Sequence, residues 1–117
     1  MRPISKAEVE FLQAAFSAAG KDLGEIGISE ESSVESLKDG GMGSIRFLAS
    51  SGPEDARHMK SAILEGEFKD ADGMLVSFSL DVDAEGKPYE LDLWRVDFQP
   101  LKRLPQDANE ITIRTKA

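Results

Sequence analysis

Residues 62–98, AILEGEFKDADGMLVSFSLDVDAEGKPYELDLWRVDF, decide the fold of this chain. Three strand-like runs in this stretch are separated by two turn signals, Ala71-Asp72-Gly73 and Ala84-Glu85-Gly86-Lys87. It therefore reads as two successive hairpins, a three-stranded meander. A three-residue loop at 71–73, with Gly73 left-handed, predicts Phe68 opposite Val76, Gly66 opposite Phe78 and Leu64 opposite Leu80. A four-residue loop at 84–87 predicts Val82 opposite Tyr89, Leu80 opposite Leu91 and Phe78 opposite Leu93. Slipping the second pairing by one residue would set Phe78 against Asp92 and Leu80 against Glu90, so the apolar match selects the register.

With that register the two faces separate by chemistry. Leu64, Phe68, Val76, Phe78, Leu80, Val82, Tyr89, Leu91 and Leu93 form the core face; Glu65, Glu67, Ser77, Ser79, Asp81, Glu90 and Asp92 form the other. The alternation then changes phase, because Trp94, Val96 and Phe98 have the opposite parity to Leu91 and Leu93. A β-bulge near Leu93-Trp94 would bring all five to the core, and this is the favoured reading. Without it, Trp94 becomes an exposed aromatic on the acidic face.

Outward from the meander, Ser5-Lys6-Ala7-Glu8 fits a capping box, with Ile4 placed to staple onto Val9. Val9, Leu12, Phe16 and Ala19 recur at helical spacing, with Phe11 and Ala15 widening the stripe and Gly20 as the stop. A helix over 6–19 is expected, its apolar face covered by the sheet. Residues 21–33 are largely loop. A short strand at 34–38 and a strand through Ile45, Phe47 and Ala49 flank a glycine-rich connection. Residues 53–61, which hold the lone histidine His58, read as a loop or a turn of helix with His58 at the surface. Pro100 and Pro105 bracket an irregular stretch, and 111–115 reads as an edge strand. The expected architecture is one α+β domain spanning 1–117, an amphipathic helix on an antiparallel meander sheet of about five or six strands.

Composition bounds the function. The 117 residues carry 22 acidic against 14 basic side chains, a net charge of −8, and no cysteine. That field repels nucleic acid and anionic membrane surfaces and steers basic partners in. The absence of cysteine removes disulfides and thiolate chemistry. With no secretion signal and no apolar run long enough to span a membrane, a cytoplasmic location is the default expectation.

The candidate constellations are few. Asp81, Asp83, Glu85 and Asp92 follow part of a calcium-loop spacing, although the flanks alternate like strands and Pro88 interrupts the loop. The glycine-rich Asp39-Gly40-Gly41-Met42-Gly43-Ser44 lacks the lysine of a phosphate-binding loop. No residue pattern suggests a catalytic triad, a transition-metal site or a cofactor, so the expectation is a non-enzymatic protein with no catalytic residues. The candidate partner-binding residues are Glu65, Glu67, Asp81, Glu90, Asp92 and Trp94, facing a basic protein.

Asp39-Gly40-Gly41-Met42-Gly43-Ser44, together with residues 89–101, YELDLWRVDFQPL, and the opening Arg2-Pro3-Ile4-Ser5, resembles a family of small, uncharacterised bacterial proteins. The chain also looks like the small acidic proteins encoded beside bacterial toxins. That analogy implies a protein-binding, immunity-like role. A calcium-binding hairpin and an acidic structural domain are the alternatives.

Overall fold

The computed structural model describes residues 1–48 and 59–114. Seven antiparallel strands form one sheet: β1 (Arg2–Pro3), β2 (Ser33–Ser36), β3 (Ile45–Phe47), β4 (Met59–Lys69), β5 (Leu75–Asp83), β6 (Pro88–Arg95) and β7 (Ile111–Ile113). They lie in the order β1-β2-β3-β6-β5-β4-β7. The fold is thus α+β with a wider sheet than the five or six strands expected. The additional element is β1, a two-residue strand too short to carry a periodic signal, which pairs Arg2 with Val34.

The one α-helix among the described residues, α1 (Lys6–Ala18), begins as its sequence dictates. Ser5 Oγ accepts the Glu8 amide at 3.1 Å and Glu8 Oε1 accepts the Ser5 amide at 2.8 Å, closing the capping box. Arg2 adds a two-pronged contact to Glu8, at 2.9 and 2.8 Å. Burial pushes the Glu8 carboxyl up, but these partners hold it below its ordinary value. At the far end Lys21 N–H donates to the Phe16 carbonyl and Gly20 N–H to the Ser17 carbonyl, with Gly20 at φ 71°, a complete Schellman stop. Phe11 seats the helix on the sheet, meeting Phe68 and Phe78 edge-on at centroid distances of 5.4 and 5.1 Å. Leu23 and Ile28, in and after a 3-10 turn at Leu23–Ile26, close the core beside it.

The first predicted hairpin is realised: Phe68 pairs with Val76, Gly66 with Phe78 and Leu64 with Leu80. Asp70 and Met74 close the turn through a 2.8 Å bond, with Gly73 at φ 86°. The second hairpin pairs Leu80 with Leu91 and Phe78 with Leu93 as expected, but its turn is one residue tighter. Asp83 N–H bonds the Lys87 carbonyl at 2.9 Å, Val82 pairs with Pro88, and Tyr89 is the extra residue before Glu90 pairs with Asp81. The bulge therefore lies at Tyr89 and not at Leu93-Trp94. Tyr89 leaves the core face and stands half-buried under Arg46, whose Cζ lies 4.9 Å from the ring centroid.

Because β6 runs straight through 93–94, Ser77 faces Trp94 and Val76 faces Arg95. Trp94, Val96 and Phe98 are exposed, contrary to the expectation that they join the core. Arg95 takes the core-side position instead. Only 4% exposed, it donates to Asp70 at 2.7 Å, Asp72 at 2.7 Å and Asp97 at 2.7 Å. A cation enters the interior here because three carboxylates receive its fork.

The short strand expected at 34–38 is β2, and the predicted edge strand is β7, lying beside β4. Residues 59–61, expected in a loop, open β4; the rest of that loop, His58 included, lies outside the described residues, as does Ala49.

Candidate functional site

α1 and the apolar side chains occupy one face of the sheet, and the alternation of burial along β4, β5 and β6 defines the other. The pairings arrange that outer face in rows. Trp94 lies beside Ser77, Glu67 and Thr112. Asp92 lies beside Ser79 and Glu65. Asp81 lies beside Glu90, Arg46 and Glu35. The six residues singled out in the sequence thus share one surface, Trp94 among them because no bulge interrupts β6 at 93–94.

They are not equivalent on it. Asp81 is only 7% exposed and forms part of the floor, accepting a 3.3 Å bond from Ser79 Oγ. Glu65, Glu67 and Glu90 are half-buried, and Asp92 is exposed. Burial, with the charges of Glu90, Asp92 and Glu65, pushes the Asp81 carboxyl above its ordinary value despite the Ser79 bond. Partial desolvation of its carboxyl and the charge of Glu90 do the same to Asp92. Glu90 directly opposes Asp81 as a like charge, relieved on its other side by Arg46 at 2.9 Å. Arg46 is the one basic residue in these rows between β2 and β5, and its Nε is sealed without an acceptor.

The aromatic end is built by the two segments that carry the family resemblance, which meet in space. Asp39 accepts the Met42 amide at 3.1 Å and the Ser44 amide at 3.0 Å. Ser44 Oγ then accepts the Leu93 amide at 2.9 Å, and Arg95 N–H points at Met42 Sδ at 3.3 Å. Leu101 N–H bonds the Gly41 carbonyl at 3.0 Å. Asp70 captures the Lys102 and Arg103 amides at 2.9 and 3.0 Å, drawing the chain after β6 back across the hairpin turn. The glycines, Asp39 and Asp97 in these segments serve backbone geometry, and the large apolar side chains they display are Trp94, 47% exposed, Val96, 40% exposed, and Phe98, 65% exposed. The two rings lie 6.1 Å apart, and Phe98 holds a left-handed φ of 61°.

The four acids of the calcium-like spacing are divided between tasks. Asp83 caps the turn through the Glu85 and Lys87 amides at 2.9 and 3.0 Å, Glu85 is exposed at its tip, and Asp81 and Asp92 belong to the acidic face. Among the described residues, no group of three or more histidine, aspartate or glutamate side chains is arranged to hold a metal.

Residues 1–105 match the model of a domain of unknown function, DUF6984, and the chain belongs to that family. β7 lies beyond the matched region. No curated protein and no solved structure matches the chain. Among the described residues, no helix is long and apolar enough to cross a membrane.

What the sequence reading missed is Phe98 and the Arg95 clamp. The clamp's signal is present: Asp70-x-Asp72 in a turn and Asp97 two residues after an arginine supply acceptors for a guanidinium.

Proposed function

We propose that this protein is a non-enzymatic binding module that presents the outer face of its sheet to a basic protein surface. The observation that carries the reading is Trp94, about half exposed in a row with Glu67 and two residues from Asp92 on the same face. Carboxylates steer a cationic partner and set the rate of encounter, while a central aromatic resists dissociation. A net charge of −8 disfavours face-to-face pairing of two copies, so the occupant is a different, basic chain. A toxin whose basic active surface this face covers fits that description, and the chain then acts as its neutralising partner.

The test compares the protein with a Glu67→Lys/Asp92→Lys variant as baits. A partner retained by the first and lost from the second, whose association with purified protein slows steeply between low and physiological salt, supports the reading. A partner bound at equal rates by both would overturn it.

A further inference from the structure

The aromatic end of the face has features that a purely electrostatic surface does not need. Phe98 is a bulky residue at positive φ, a strained conformation that persists only where surroundings enforce it. The surroundings do so here. Phe98 N–H bonds the Arg95 carbonyl at 2.9 Å, and Asp97 is locked by the Arg95 guanidinium at 2.7 Å while accepting the Gln99 amide at 3.1 Å. What this arrangement holds is an exposed phenyl ring beside an exposed indole, tilted by 37°. Glycine at position 98 would adopt the same backbone without strain, so the ring itself is what the strain retains.

The same face shows how it holds a cation. Arg46 lies over the Tyr89 ring at 4.9 Å while its Nη2 donates to Glu90 at 2.9 Å, an aromatic plate with a carboxylate beside it. Trp94 and Phe98 repeat the plate without a cation on it among the described residues. Asp92 lies about 7 Å away along the strand and Glu67 about 10 Å away across two strands. A planar, weakly hydrated guanidinium stacks on such a plate and bonds a neighbouring carboxylate at once, whereas a strongly hydrated ammonium gains less from it.

Building on the proposed basic partner, we infer that the Trp94–Phe98 pair is an arginine-accepting shelf. The partner's anchoring residue is an arginine stacked on the two rings, with Asp92 or Glu67 receiving its N–H groups.

Octa-arginine and octa-lysine peptides, titrated calorimetrically at low salt, provide the probe. Octa-arginine is expected to bind at least fivefold more tightly than octa-lysine and to quench the emission of Trp94, the chain's single tryptophan. Trp94→Ala should remove the arginine preference while leaving octa-lysine binding within twofold. Phe98→Gly should weaken octa-arginine binding without lowering thermal stability, an outcome that a merely structural role for the ring excludes. Equal affinities for the two peptides, unchanged by Trp94→Ala but reduced by Glu67→Lys/Asp92→Lys, would overturn the shelf and leave the acidic interface standing. Binding of both peptides unaffected by Glu67→Lys/Asp92→Lys would overturn the interface and the shelf together.

Discussion

Arg95 Nη1 and Asp70 Oδ2 meet at 2.7 Å, with the Asp70 side chain fully sealed and that of Arg95 nearly so. Asp70 closes the first hairpin turn and Arg95 ends β6, so this contact fixes where the chain leaves the sheet. It also explains why Trp94 points outward: with Arg95 drawn to the core side, its neighbour must face the other way. Burial pushes the Asp70 carboxyl up, but the Lys102, Ala71 and Arg103 amides and the Arg95 guanidinium hold it below its ordinary value.

Asp70→Ala removes those acceptors at once and leaves buried donors unpaired. The expected loss is about 3–5 kcal/mol, read as a lower midpoint in urea unfolding. Arg103→Ala, which breaks an exposed pair with Glu110, should change stability by less than about 1 kcal/mol. Similar losses from both would show that the buried contact has no special weight.

The two classes of carboxylate predict opposite responses to pH. Arg95 holds Asp97 down to about 2, and Asp70, Asp39 and Glu8 are also lowered. The stability they confer is complete above about pH 5 and drains away as pH falls through 4 toward 2. Asp81 and Asp92 are raised, so their ionisation opposes folding. That penalty is absent below their unfolded values and grows as pH rises through the folded ones. Asp81→Asn should therefore stabilise at pH 7 by about 0.5 kcal/mol, relieving its like-charge pairing with Glu90. Near pH 3 the gain should vanish; a gain independent of pH would contradict this origin.

Gly66 is placed by close approach. A Cβ there would lie 2.6 Å from the Thr112 carbonyl and 2.8 Å from Phe78 Cζ, so β7 and the Phe78 ring both close over a bare backbone. Gly66→Ala should cost about 1–3 kcal/mol and speed amide exchange at Ile111 and Ile113 first. Unchanged exchange in β7 would show that the strand does not depend on that contact.

Much of this architecture is legible in the residues. Capping chemistry sets α1, and the apolar match across 62–98 selects the registers because a one-residue slip would bury carboxylates. Two features were not. Polarity alone does not mark Arg95 as buried; three aspartates brought together by the turn and β6 make its burial favourable. The Tyr89 bulge follows from a turn that closes at Asp83 and Lys87, and the Arg46 contact that receives the displaced ring comes from a distant strand. Alternation alone gives the outward parity of Glu65, Glu67, Glu90 and Asp92, whereas the burial of Asp81 and the outward turn of Trp94 depend on packing and on where the bulge falls. The prominence of Phe98 depends on a backbone conformation that no pattern of polarity encodes.

Trp94→Ala separates stability from recognition. A half-exposed ring contributes little packing, so unfolding should shift by less than about 1 kcal/mol. Binding to a basic partner should fall at least tenfold through faster dissociation. A large loss of stability would instead assign the indole to the fold.

The central claim, that the outer face of β4–β6 is the interface, is tested most directly by mapping amide chemical shifts during titration with octa-lysine. The predicted map concentrates on Glu65, Glu67, Glu90 and Asp92, and collapses in the Glu67→Lys/Asp92→Lys variant. Shifts centred on the exposed acids Glu25, Glu30 and Glu31, or spread over every exposed carboxylate alike, would contradict it.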